Sequence, residues 1–320
     1  MPQITNVTGI DLPLAVWLAS DDYDFRQDGH SISVTSLLKP VRQILLREQL
    51  TRQVAETPDV ADFIASRLGH SIHDGIERAW KHHHEAALLK LGIPPKVVSK
   101  VKINPDTVED GDIPVWLEQR GTRSIRGYNI SGKFDMVLEG CLRDFKSTSV
   151  YSYIKGNKDE DYKLQGSLYR WIHHDKVTAD HMFIQFIFTD WQKSMAKSNP
   201  DYPQQRVLNH RIELLSLKET ENWVNRKLDE LEKYADRSEK ELPHCTDAEL
   251  WRGETVYKYF SNPAKIDGRA TKNFSDLNEA NRFAAEKGKG IIITVPGQVK
   301  ACGYCPVFPI CTQKDQYEHG

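Results

Sequence analysis

The run Asn129-Ile-Ser-Gly-Lys-Phe-Asp-Met-Val-Leu138, followed by Glu139-Gly140 and then Cys141-Leu-Arg-Asp-Phe-Lys146, decides how this chain is read. Strand-forming residues flank an acidic-Gly pair, which is the pattern of a β-hairpin with a two-residue turn. With Glu139 and Gly140 as the loop, Leu138 faces Cys141 and Asp135 falls opposite Asp144. Side chains alternate along a strand, so Lys146 shares the face of Asp144. The two carboxylates would then stand roughly 5 Å apart at Cβ and repel by about 3 kcal/mol at an effective dielectric near 20. Two readings follow. Either the hairpin lies on the surface, where water screens the charges, or a cation sits between them, supplied by Lys146 or by a divalent metal ion.

Flanking segments add candidates. From Val60 to Trp80, apolar residues recur at 60, 63, 64, 68, 72, 76 and 80, a helical spacing. His73 borders this stripe with Glu77 one turn on, and is either a packed core histidine or a ligand. His82-His83-His84 diverge around a helix and cannot converge on one ion. Downstream, Tyr162 to Ile172 reads as an amphipathic helix that buries Leu164, Leu168, Trp171 and Ile172, with Gln165 and Tyr169 on one side.

Taken together, Gly69-x3-His73, Gly132-x2-Asp135, Asp144-Phe-Lys146 and Gln165-x3-Tyr169 resemble, in type and order, the motifs of PD-(D/E)XK nucleases of the RecB-like type. The resemblance covers roughly residues 69 to 172. It implies an α/β fold with a restriction-endonuclease-like core, a mixed sheet flanked by helices, and metal-dependent phosphodiester hydrolysis. It further implies metal ligation by His73, Asp135, Asp144 and the backbone carbonyl of Phe145. Lys146 would orient or activate water, with Gln165 and Tyr169 in support. Asp stands at 144 where Glu is more frequent, which the superfamily pattern permits. Oxygen-rich ligands suit Mg²⁺ or Mn²⁺, and one imidazole excludes neither.

Cysteine usage is the second signal. Of 5 Cys in the chain, Cys302, Cys305 and Cys311 form a C-x2-C-x5-C cluster whose loops can wrap one metal centre. Buried thiols or a disulfide are the alternative. Cys245 is the candidate fourth ligand, because it lies outside any apolar periodicity, whereas Cys141 points to the core. The cluster resembles the iron–sulfur subset of RecB-like nucleases, among them CRISPR-associated adaptation nucleases and phage exonucleases, and this implies a [4Fe–4S] cofactor. Zinc stays open, since four thiolates satisfy Zn²⁺ as well. One departure stands out: no Cys precedes Cys141, and Lys39-Pro40 occupies the place in Val34–Leu45 where that subset carries one.

Composition fits a 320-residue chain able to bury a full core, with 39% hydrophobic content. No stretch approaches the roughly 20 apolar residues of a membrane span, and the N-terminus lacks the basic start and apolar block of a signal peptide. Unpaired thiols arranged for metal imply a reducing cytoplasm, bacterial or of a phage-infected host. The net charge of −2 leaves phosphate contacts to local patches, Arg120–Arg126 or Lys155, Lys158 and Lys163.

The expected organisation is a largely helical N-terminal region over 1–58, a nuclease core over 59–238 and a small C-terminal Cys-cluster subdomain over 239–320. Residues 30–100 read as mostly helical, 182–188 and 206–212 as later strands around a polar loop at 190–205, and Ser216-x2-Glu219 as a capping box. The function expected is a Mg²⁺- or Mn²⁺-dependent DNA exonuclease acting on ends in recombination, repair or phage replication, with recombination or replication proteins as possible partners. A non-catalytic DNA-binding or recombination-assembly module that keeps the fold is the alternative. A structural zinc-ribbon protein would leave His73 and Gln165 unexplained.

Overall fold

The computed structural model describes residues 4–20, 31–50, 57–156 and 158–317, and the chain separates into two compact units. One comprises Met1–Leu38 and Glu56–Lys227, the other Lys39–Ala55 and Leu228–Gly320. The division differs from the expected boundaries in two ways. Residues 39–55 join the C-terminal unit, and that unit begins at Leu228, not at 239. The reason for the first is visible at Arg42, a buried residue whose guanidinium donates to the Leu242 carbonyl at 3.1 Å and pairs with Glu239.

The first unit is mixed α/β, with mixed sheets flanked by helices. Its strands are β1 (Ser31–Ser33), β2 (Val101–Ile103), β3 (Ile113–Leu117), β4 (Arg120–Ile125), β5 (Tyr128–Lys133), β6 (Met136–Leu138), β7 (Cys141–Thr148), β8 (His181–Phe188) and β9 (Val207–Glu213). Six form one sheet in the order β2-β3-β6-β7-β8-β9, parallel at β2/β3 and β7/β8 and antiparallel elsewhere. The other three form a small sheet in the order β1-β5-β4.

The turn at Glu139-Gly140 forms as the sequence suggests. Both residues have positive φ, 52° and 72°, as a type I′ turn requires, and Leu138 pairs with Cys141. The strand before it is broken, however, and not continuous from 129 to 138. β5 belongs to the small sheet and β6 to the large one, with the change at Phe134-Asp135. Phe134 is fully buried at this step, so the chain turns there to sink an aromatic ring. β4 and β5 form a second hairpin around Arg126-Gly127, both at positive φ.

This second hairpin also redirects the basic run. The Arg123 guanidinium lies 4.3 Å over the Trp171 ring, donates to the Trp171 carbonyl at 2.8 Å and pairs with Glu221 at 3.0 Å. Arg126 donates to the Asn225 carbonyl at 3.3 Å. These two arginines tie the hairpin to its own unit and are not open phosphate contacts.

Helices pack on both faces of the large sheet. On one, Ile76 and Trp80 of the helix Ile64–Lys90 cover Val115, Leu117, Met136 and Phe145, a burial of about 2 kcal/mol per large side chain. On the other lies the helix Asp159–Ile172, whose Gly166 sits against Met182 with no room for a Cβ. Met182, Ile184, Phe186 and Phe188 of β8 alternate into that face. The 190–205 loop contains a short helix, Lys193–Ser198, and the Ser216/Glu219 capping box opens the helix Leu217–Tyr234.

The second unit contains a three-stranded antiparallel sheet, β11-β10-β12, made of β10 (Val256–Phe260), β11 (Lys272–Phe274) and β12 (Ile291–Val295). The helix Leu277–Lys287 covers one face, where Tyr259, Phe274 and Ala280 are buried. Short 3-10 turns carry Cys302 and the residues up to Cys311. No helix among the described residues is long and apolar enough to cross a membrane.

Candidate active site and cysteine centre

The first site forms where the β6 ladder stops and β7 runs on. Asp135 falls one step beyond the last β6/β7 pair, Met136 with Arg143, and so opposite Asp144. Its side chain replaces the missing ladder partner: Asp135 Oδ2 accepts the Phe145 N–H at 2.9 Å. His73 reaches the same point from the helix Ile64–Lys90, with Nε2 3.0 Å from the Phe145 carbonyl oxygen and Nδ1 3.4 Å from Asp135 Oδ1. One imidazole thus touches both a carboxylate and the backbone carbonyl between Asp144 and Lys146.

Asp144 and Lys146 point to the opposite face from Phe145, the face of Ile184 and Phe186. Lys146 Nζ lies 2.7 Å from Asp144 Oδ2 as an ion pair, and that oxygen is fully buried. Burial pushes the Asp144 carboxyl up to about 6, opposed by the Lys146 charge and aided by Asp135. Desolvation, more than repulsion between the two carboxylates, is therefore what makes this site costly. Asp135 goes the other way: burial raises it, but His73 and the Phe145 amide prevail and hold it below the usual range.

Glu118 belongs to the site and was not singled out from the sequence. It directly follows β3, holds a left-handed φ of 51° and donates its N–H to the Asp135 carbonyl at 3.0 Å. Ligand atoms of His73, Glu118 and Asp135 all lie within 4.8 Å of one another. Burial raises the Glu118 carboxyl, with Lys133 at 2.5 Å pulling it down. Only the nonlocal pairing of Leu117 with Met136 brings Glu118 beside Asp135.

Gln165 and Tyr169 sit differently from the metal candidates. Gln165 Nε2 donates to the Tyr169 hydroxyl at 3.1 Å, and the Tyr169 ring packs on Gly132, where a Cβ would stand 2.9 Å from it. This accounts for Gly132 within Gly132-x2-Asp135. On that helix it is Tyr162 whose phenol feels Lys146 and Asp144: burial raises its pKa and the ammonium lowers it. His82 and His83 are exposed on the helix, as its geometry requires.

The donors that converge are one imidazole and two carboxylates, with the Phe145 carbonyl beside His73 and Asp144 outside this group of three. Such a set is hard and oxygen-rich, the kind that suits Mg²⁺ or Mn²⁺. His73 is held more basic than an ordinary histidine, chiefly by its hydrogen bond to Asp135. Its proton competes with a metal ion, so metal affinity is expected to rise with pH through the His73 range. His73→Ala should weaken the metal response in titrations more than it lowers the melting temperature. A loss of about 1–3 kcal/mol in stability with an unchanged metal titration would make His73 a packing residue.

The second site lies in the other unit. Cys245 is fixed by Gln313, which accepts the Cys245 N–H at 2.8 Å and donates to its carbonyl at 3.0 Å; Gln313 is itself buried. Arg42 directs Nε to Cys311 Sγ at 3.1 Å. Burial pushes the Cys245 thiol up to about 12, with Glu249, Cys311 and Cys305 adding to it. Cys302 and Cys305 are raised by burial as well, and both feel Cys311. Cys245, Cys302, Cys305 and Cys311 are all half-buried in this unit, though among the described residues no three of their sulfurs lie within 4.8 Å of one another. Cys141 is buried in β7 of the first unit and donates to the His181 carbonyl at 3.5 Å.

No family model matches this chain, and no curated protein does. Among solved structures, the crystal structure of SSO0001 is similar at 15% identity and TM-score 0.40, covering 70% of this chain and 86% of that one. A phage related exonuclease from Haemophilus somnus 129PT is similar at 14% identity and TM-score 0.29, covering 65% of this chain and 94% of that one.

Proposed function

We propose that the chain is a metal-dependent deoxyribonuclease of PD-(D/E)XK architecture, acting on DNA ends as an exonuclease. The observation that carries this reading is the buried Asp144–Lys146 pair on one strand, joined through the Phe145 backbone to Asp135 and His73. A fold that only bound DNA would gain nothing from a carboxylate held at such cost away from water.

Asp135, Asp144, His73 and the Phe145 carbonyl would hold the ion, with Glu118 beside them. A divalent cation, if bound there, would supply charge neutralisation at the phosphate, a more acidic water and stabilisation of the leaving oxygen. The chain's own part is positional. Lys146 places a positive charge next to Asp144, where it can orient the attacking water and offset the charge gathering on phosphate. Asp135 is locked by the Phe145 amide, so its second oxygen keeps one direction. Tyr162 and the apolar Phe186 wall that side of the pair.

In the second unit, Cys245, Cys302, Cys305 and Cys311 would hold one [4Fe–4S] cluster, with Zn²⁺ the competing occupant. The donor chemistry fits a thiophilic metal: four half-buried cysteines belong to this one unit and three of them fall within ten residues. A buried guanidinium aimed at Cys311 is better matched by a ligated thiolate than by a neutral thiol, a weak acceptor.

The test is incubation with end-labelled single- and double-stranded DNA in Mg²⁺, Mn²⁺ or EDTA. Label release with either metal, none in EDTA, and a loss of roughly 10³-fold in Asp135→Ala and Lys146→Ala are expected. Binding of DNA without cleavage in any metal would leave the non-catalytic module as the function.

A further inference from the structure

We infer that the cavity formed by β10, β11 and the loop between them is a seat for nucleic-acid phosphates. The inference takes its ligand class from the nuclease reading above. A cavity of about 430 Å³ lies there, lined by Lys258, Arg269, Thr271, Lys272 and Asn273 with Gly268 and Ala270, and no carboxylate lines it.

The placement follows from strand alternation. Tyr257 and Tyr259 of β10 face the helix Leu277–Lys287 and form the small core, so Lys258 between them turns to the other side of the sheet. Its cross-strand partner is Asn273, on the same side. The loop closing the cavity is pinned, with the Thr271 N–H donating to the Tyr259 carbonyl at 2.9 Å and the Ser261 N–H to Thr271 Oγ1 at 3.1 Å. Lys272, opposite Tyr259, turns its ammonium to the helix side instead, 4.7 Å from the Phe274 and Phe283 rings. Among the described residues, Lys258 and Arg269 make no ion pair, in contrast to Arg123 of the first unit. Residues 256–290 carry seven Lys and Arg against four Asp and Glu, in a chain whose net charge is −2. A cavity of cations, an amide and a hydroxyl with no competing acid is matched to phosphate oxygens, and its polar lining offers no base-stacking platform. Sequence-independent backbone binding is the chemistry it supports.

The experiment is fluorescence anisotropy of a labelled single-stranded oligonucleotide against the full chain in EDTA, repeated over a range of salt concentrations. K258Q/R269Q leaves Lys272 on its aromatic rings and so spares the small core. Removing two phosphate contacts should flatten the slope of log K against log salt by about 1.4 and weaken binding several-fold at low salt. K193Q/K197Q, on the exposed helix of the first unit, makes the same change in net charge and should leave the slope unaltered. Equal losses in both variants, or no loss in K258Q/R269Q, would overturn the assignment. So would saturable binding of inorganic phosphate that K258Q/R269Q abolishes while oligonucleotide binding persists, which would make this a small-anion site. The readout is binding without metal, so a protein that cleaves no DNA yet shows the flattened slope keeps this seat and loses only the nuclease reading.

Discussion

Asp144→Asn is expected to abolish cleavage and, in metal-free buffer, to raise the melting temperature. The first effect follows from removing a carboxylate that would bind the ion and anchor Lys146, a loss of roughly 10³-fold or more on the scale of a preorganised charge. The second follows from burial. The Asp144 carboxyl is raised from 3.8 to about 6 in the folded chain, which corresponds to about 3 kcal/mol of destabilisation once it is ionised. Asparagine keeps the shape without the charge, and burying its unpartnered amide offsets part of the gain, leaving about 1–2 kcal/mol. The pH dependence has a definite sign. Below 3.8 the carboxyl is protonated both folded and unfolded, and the variant has no advantage. Between 3.8 and about 6 only the unfolded chain ionises freely, and the advantage grows; above about 6 it is full. Melting curves at pH 4, 5.5 and 7.5 in EDTA check this, and saturating Mg²⁺ should reverse the order by stabilising only the chain that binds it. A variant less stable than wild type at pH 7.5 in EDTA would mean that the Asp144–Lys146 pair is a net structural tie.

What was legible in the sequence was mostly local. The turn at Glu139-Gly140 needs only two residues tolerant of positive φ, and it sets the register that brings Asp135 opposite Asp144. The Ser216/Glu219 box and the alternation of β8 are equally short-range. The break at Phe134-Asp135 was not legible, because nothing in the run 129–138 tells which sheet each half joins. That is decided by Phe134 finding a buried site and by β5 pairing with β1 and β4. Glu118 was missed for a related reason, since its place beside Asp135 depends on antiparallel pairing of β3 with β6, 19 positions apart at Leu117↔Met136. The arginines at 123 and 126 look like phosphate contacts in a basic run, yet a partner about a hundred residues away in sequence decides their use: Glu221 for one, Asn225 for the other. Charge in a sequence gives the number of available cations, and only tertiary structure shows which are already engaged.

Cys245→Ser is expected to cost the protein its cluster, and this prediction separates geometry from resemblance most sharply. The resemblance leads to a ligand before the nuclease core, near Lys39-Pro40, where this chain has no cysteine. Instead, Arg42 of the same N-terminal segment reaches Cys311, Leu242 and Glu239, and Glu239 also accepts the Thr312 N–H at 2.9 Å. A hydrogen-bonded tie thus stands where a thiolate would have linked that segment to the cysteines. Cys245, latched by Gln313 and feeling the charges of Cys311 and Cys305, is the fourth donor we propose. Anaerobically purified protein should be brown, with about four iron atoms per chain. Cys245→Ser, Cys302→Ser, Cys305→Ser and Cys311→Ser should each bleach it and destabilise the second unit by a few kcal/mol, the scale of a cross-link that closes a long loop. Cys141→Ser, in the other unit, should retain colour and iron. Arg42→Met should keep iron content but shift the cluster's reduction potential downward, since a donor to a ligand sulfur favours the more negative reduced state. A colourless chain holding one zinc ion would preserve the four-cysteine assignment and remove iron. Full iron content in Cys245→Ser would place the fourth ligand elsewhere, and the pairing of Cys245 with Gln313 would then be a fold contact alone.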